Sequence, residues 1–174
     1  MSLEHLWAGW RSAYVAGAAA EPEGEGSVFR RILESGLPDE QTHIVWRGEH
    51  CFAILNAFPY TNGHVLVMPY REVGELDELT AGEHTELWAG VTDAAAALRG
   101  AYQPDGLNIG MNLGRPAGAG VPSHLHVHVL PRWSGDTNFM TTVAGVRVMP
   151  ESLPDSAAKV RAAWPDGGAR APGA

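Results

Sequence analysis

The chain has 174 residues, 45% of them hydrophobic and 18% charged, with a formal net charge of −8 when the histidines are neutral. That length fits one domain with room for a proper core. The acid excess leaves no Lys/Arg stripe for a nucleic-acid backbone, though it permits a small phosphorylated ligand. Cys51 is the only cysteine, so no intrachain disulfide forms and a reducing compartment is expected. No apolar run reaches membrane-spanning length, and the stretch LWAGWRSAYVAGAAA, interrupted by Arg11, has no positively charged leader, so the expectation is a cytoplasmic protein without a membrane partner.

In chain order, Leu6, Trp10 and Tyr14 have the spacing of one face of a short N-terminal helix or arm. EPEGEG breaks regular structure. Ser27 is placed to cap a short helix through VFRRILES, ended by Gly36 and Pro38, with Phe29, Ile32 and Leu33 as its buried stripe. HIVWRG (43–48) and CFAILN (51–56) predict a hairpin, and HVLVMP (64–69) a third strand after the FPYTNG turn. Thr80 opens the clearest helix, TAGEHTELWAGVTDAAAALRGA, where Leu87, Val91, Ala94 and Leu98 recur at helical spacing. LNIGMN (107–112) predicts a fourth strand, and the glycine-rich LGRPAGAG (113–120) leads into a fifth, 124–131. From about Pro150 the composition turns Pro-, Ala- and Gly-rich, and WPDGGARAPGA is expected to fray. Hairpin, strand, helix, strand, strand describes an α+β domain on an antiparallel sheet.

The chemistry concentrates in PSHLHVHVLPR (122–132), where three of the eight histidines alternate with aliphatic residues. Strand side chains alternate between faces, so His124, His126 and His128 share one face and Leu125, Val127 and Val129 the other. The aliphatic face would anchor beneath the long helix and leave the imidazoles as an outward row, with N–H groups of GAG close to an anion. A metal site of the cupin kind would want a carboxylate shortly after the histidines, and Val129, Leu130, Pro131, Arg132 and Trp133 supply none. A neutral imidazole near pH 7 is instead a competent nucleophile toward phosphorus.

HLHVHVL resembles the His-φ-His-φ-His-φ-φ signature of the histidine triad (HIT) family of nucleotidyl hydrolases and transferases. CFAILNAFPYTNGHVLVMPYR (51–71) resembles the family's upstream block, and MNLG (111–114) its stretch before the glycine loop. LPRWSGDTNFM and LWAGWRSAYV resemble the bacterial branch related to diadenosine tetraphosphate phosphorylases and hydrolases. The resemblance implies an N-terminal arm (1–26), a HIT domain (27–150) of about five strands with a long and a short helix, and a partly flexible extension (151–174). It also implies a homodimer whose sheets join.

By the same resemblance, His126 attacks an α-phosphorus, His128 lies against the phosphate, His124 orients the nucleophile and His64 completes the network. Asn56 matches the position that holds ribose hydroxyls; Val28, Phe29, Ile32 and Ile54 match the slot around a purine base, and Asn112 a residue on the phosphate side. The implied substrate is a dinucleoside polyphosphate, with water or phosphate as final acceptor; a nucleoside phosphoramidate and a non-catalytic nucleotide-binding role are the alternatives. No cofactor is required, although the polyphosphate can arrive as its Mg²⁺ complex. Many relatives bind zinc through Cys-x-x-Cys and a later histidine. Here those places read Ser27-Val28-Phe29-Arg30 and Glu72, so no structural zinc is expected. Val121 stands where many relatives carry Ser or Thr.

Overall fold

The structure, a computed structural model, describes residues 26–136 and 149–165. The N-terminal arm, the end of LPRWSGDTNFM and most of WPDGGARAPGA lie outside these residues. Among the described residues no helix is long and apolar enough to cross a membrane.

Helix α1 (Val28–Glu34) starts where Ser27 Oγ accepts the Arg30 N–H at 3.2 Å. A four-residue turn of helix, α2 (Asp39–Thr42), leads into β1 (Ile44–Arg47) and β2 (Cys51–Leu55). Then follow β3 (Val65–Pro69), helix α3 (Ala81–Tyr102), β4 (Gly106–Met111), β5 (Val127–Arg132) and helix α4 (Leu153–Ala163). The five strands form one antiparallel sheet in the order β1-β2-β3-β5-β4. This is the expected α+β architecture.

Alternation along each strand divides the core in two. Val45, Cys51, Ala53, Leu55, Val65, Val67, Val127 and Val129 face α3, where Leu87, Val91, Ala94 and Leu98 form the predicted stripe. Thr80 caps α3 reciprocally with Glu83, whose carboxylate is pushed down to about 2, chiefly by Arg71 at 2.7 Å and against its partial burial. The helix comes so close to the sheet at Gly90 that a Cβ there would stand 3.1 Å from Val67. On the opposite face Ile44, Phe52, Ile54, Leu66 and Met68 form a second cluster under Phe29. The register Ile44↔Ile54, Ile54↔Leu66, Leu66↔His128 puts this cluster on the histidine face.

Helix α4 was not anticipated from its composition. Ser152 caps it by accepting the Asp155 N–H at 3.3 Å, and Ala157, Val160 and Trp164, three and four positions apart, are buried. Trp164 stacks on Trp46 at 5.8 Å, and Arg161 donates to the Ile44 carbonyl at 2.6 Å. A Pro- and Ala-rich segment thus becomes a docked helix because its few large side chains share one face.

Candidate functional site: a chain of imidazoles with assigned protons

The histidine segment differs from a simple strand. Regular pairing begins only at Val127, so His124 and His126 precede β5, while the alternation of faces continues through them. The imidazoles do not stand as an exposed row. His124 is wholly buried and His126 only 7% exposed, because α1 lies over them and Phe29 meets both rings edge-on at 5.4 Å. The correction has a plain cause: a short amphipathic helix needs an apolar surface, and the histidine face of the sheet is otherwise aliphatic.

His124, His126 and His64 each meet a partner that can only accept or only donate, which fixes their protons, and His128 takes its assignment from His64. His126 Nδ1–H donates to the His124 carbonyl at 2.8 Å, which leaves the lone pair on Nε2. His64 Nδ1 accepts the Tyr60 N–H at 3.2 Å and faces the Asn56 amide at 3.3 Å. Its Nε2–H therefore points to His128 Nδ1 at 2.9 Å. His128 is left with its proton on Nε2. His124 Nε2–H donates to the Pro69 carbonyl at 2.8 Å, and its Nδ1 accepts the Ser27 hydroxyl at 2.7 Å. A bare ring nitrogen on His126 thus stands beside an N–H on His128, with ring centroids 4.9 Å apart.

Burial keeps these rings neutral. Desolvation drives the pKa of His124 and of His126 below the ordinary 6.5, against the opposing hydrogen bonds to Pro69 and His124 carbonyls. Desolvation, with His126 as neighbour, takes His128 down to about 4. Cys51 is pushed up to about 12 by burial and by Glu86 and Glu83, which makes it a core residue rather than a second nucleophile.

The remaining sequence-derived positions divide. Asn56 stands beside His64, its Oδ1 accepting the Phe58 N–H at 3.0 Å. Ile54 and Phe29 are buried in the second cluster, whereas Val28 is exposed and Ile32 half-buried at its edge. Asn112 donates to the Gly118 carbonyl at 3.4 Å, a contact within the glycine loop. Two N–H groups expected to face an anion are used inside that loop: Gly118 donates to Arg115 O at 2.9 Å and Ala119 to Gly114 O at 3.2 Å.

Two participants were not singled out in the sequence. Tyr60 stacks on His128 with centroids 6.1 Å apart and holds His64 through its backbone. Ser27 is read there as a helix cap and as a residue standing where relatives carry a zinc thiolate, not as a partner of the triad; its bond to His124 spans 97 positions, and no local pattern carries it.

The chain is also similar to known proteins. A sequence model described as the HIT domain matches residues 38–135. The chain is 40% identical to an AP-4-A phosphorylase of Mycobacterium tuberculosis over 93% of its own length and 85% of that protein's. It is 36% identical to a bis(5'-nucleosyl)-tetraphosphatase (asymmetrical) of Schizosaccharomyces pombe, over 55% of this chain and 52% of that one. Among solved structures, a Zn-bound histidine triad family protein from Mycobacterium smegmatis superposes with a TM-score of 0.64 at 30% identity, covering 79% of this chain and 92% of that one.

Proposed function

The chain belongs to the HIT family, and from that premise we propose that it cleaves a dinucleoside polyphosphate, diadenosine tetraphosphate above all, at the α-phosphate through a nucleotidyl-histidine intermediate. One observation carries the reading. His126 has its Nδ1 proton committed to a backbone carbonyl, so an unprotonated Nε2 is available at neutral pH for in-line attack.

In the first step Nε2 of His126 bonds to the α-phosphorus while the bond to the leaving nucleoside triphosphate breaks. The positive charge that develops on the ring is stabilised by Nδ1–H donating to the His124 carbonyl. His128, its Nδ1 occupied by His64, donates its Nε2–H to a phosphate oxygen. In the second step an oxygen of inorganic phosphate attacks the same phosphorus, the N–P bond breaks, and ADP leaves. The kinship with an AP-4-A phosphorylase over 93% of the chain favours phosphate as acceptor over water. Asn56 holds the ribose, and Val28 and Ile32 give the purine an apolar wall, with Phe29 and Ile54 supporting it from below. Asn112 supports the glycine loop on the phosphate side.

Products decide it. Incubation with diadenosine tetraphosphate and phosphate should release ATP and ADP; ATP and AMP in equal amounts, independent of phosphate, would make the protein a hydrolase instead.

The chain works without a structural zinc. Where relatives offer thiolates and an imidazole, the Ser27 hydroxyl is engaged with His124, Arg30 is a cation, and Glu72 accepts the Ser27 N–H at 2.9 Å. That donor set does not suit zinc. The protein pairs as a homodimer through β4, which stands at the edge of the sheet among the described residues and leaves Ile109 48% exposed.

A further inference from the structure

Ser27 ties three separate parts of the chain together, and none of its contacts is with the nucleophile itself. It is 5% exposed and sits at the N-cap of α1. Its hydroxyl oxygen accepts the Arg30 N–H at 3.2 Å, its hydroxyl proton goes to His124 Nδ1 at 2.7 Å, and its backbone N–H goes to Glu72 at 2.9 Å. Partial burial raises the Glu72 carboxyl, but the Ser27 N–H, the Ser123 hydroxyl and the nearby His124 and Arg30 more than offset it, so the group stays ionised and anchors the segment.

His124 is the link to the reacting atom. Its ring is clamped from both sides, by the Ser27 hydroxyl and the Pro69 carbonyl, and its own carbonyl receives the His126 Nδ1–H. The His124 N–H donates to the Val121 carbonyl at 3.2 Å, and the Leu125 N–H, in the same peptide unit as the His124 carbonyl, donates to the Val73 carbonyl at 2.7 Å; His124 itself precedes the first regular pair of β5. The carbonyl that orients His126 is therefore held by these backbone bonds together with the seat of the His124 ring.

Resting on the proposed His126 chemistry, we propose that Ser27 is a positioning residue: its hydroxyl, opposite the Pro69 carbonyl that fixes the His124 tautomer, holds the His124 ring in place and so steadies the carbonyl that keeps the Nε2 of His126 unprotonated and aimed. Nothing in this role requires Ser27 to touch substrate. Without the hydroxyl, His124 Nδ1 has no donor, and the Pro69 carbonyl alone holds the ring. Held at one nitrogen only, the ring turns about that bond and draws the 124–126 backbone with it.

The test uses the full chain with Ser27→Ala, Ser27→Gly and Ser27→Thr. Glycine serves nearly as well as serine as a helix N-cap, so it separates capping from the bond to His124. Single-turnover adenylylation of His126 by diadenosine tetraphosphate is followed after acid quench, AMP affinity by calorimetry, and imidazole tautomers by ¹⁵N NMR of labelled protein.

The expected result is a loss of about ten- to a hundredfold in adduct formation for both Ala and Gly, as for a catalytic group displaced by a fraction of an ångström. AMP affinity stays unchanged, the His124 Nδ1 nitrogen signal shifts as its donor is lost, and Thr restores rate and spectrum. The proposal is overturned by wild-type rates in Ala and Gly, by a defect in Ala alone, by a Thr variant as slow as Ala, or by a His124 Nδ1 signal that does not move in Ala and Gly. If the unsubstituted protein forms no adduct, the proposed reaction fails instead, and the nitrogen spectra of Ala and Gly alone decide whether Ser27 seats His126.

Discussion

His126 and His128 carry opposite faces of the same chemistry, a lone pair and an N–H, and each owes its state to a neighbour rather than to its own pKa. Substituting His126→Ala removes the nucleophile and should lower turnover of diadenosine tetraphosphate by at least about a thousandfold, while AMP affinity measured by calorimetry changes little. Equal loss of both would mean that the ring serves binding. The buried rings also set a pH signature. An imidazole with a folded-state pKa below its unfolded 6.5 binds fewer protons in the folded chain, so stability is complete above 6.5 and falls as pH drops, for His128 down to about 4. Denaturant midpoints should therefore decline from pH 6.5 to 5, and His128→Asn should flatten that decline. Glu83 and Glu151, held near 2, lose their contribution only between 4.5 and 2, outside this window. The acid limb of kcat/KM should likewise lie below 6.5, because His126 is depressed from that value.

At the level of elements, the sequence was most legible where local chemistry and core contact agree. Helix α3 has its Thr80–Glu83 cap, its stripe and its length all written locally, and it forms as expected. Thr80→Ala should cost about 1 kcal/mol in thermal or chemical unfolding. The histidine segment was legible in its alternation but not in its exposure, since the cover supplied by α1 comes from about 95 positions away. Helix α4 was illegible for the opposite reason. Its composition signals a flexible end, and only docking against α3 and β1 gives Ala157, Val160 and Trp164 a surface to bury. Trp164→Ala should remove about 3–5 kcal/mol, measured by the same unfolding experiment, as for other buried large aromatics. A loss under 1 kcal/mol would show that α4 contributes little to the fold.

For the molecule as a whole, the sheet order among the described residues puts β4 at one edge and β1 at the other, where Arg161 of α4 donates to the Ile44 carbonyl. The protein should sediment as a dimer, and Ile109→Glu, which places a charge in the joined edge, should give a folded monomer. A monomeric unsubstituted protein would remove the joined-sheet assembly. Elemental analysis of purified protein should find zinc well below one ion per chain, and a stoichiometric ion would place a site outside the Ser27–Glu72 contact.

What the amino-acid order determined by itself was the fold class, the helix α3 and the company of three imidazoles on one side of a strand, because periods of two and of about 3.6 are local properties of the backbone. What only the tertiary structure decided was which nitrogen of each ring bears the proton and how dry each ring is. Those depend on Pro69, Ser27, Tyr60, His64 and Phe29, residues four to about a hundred positions from their partners, brought together by strand register and by the seat of α1. A hydrogen bond acts over about 3 Å and leaves no periodic trace along the chain.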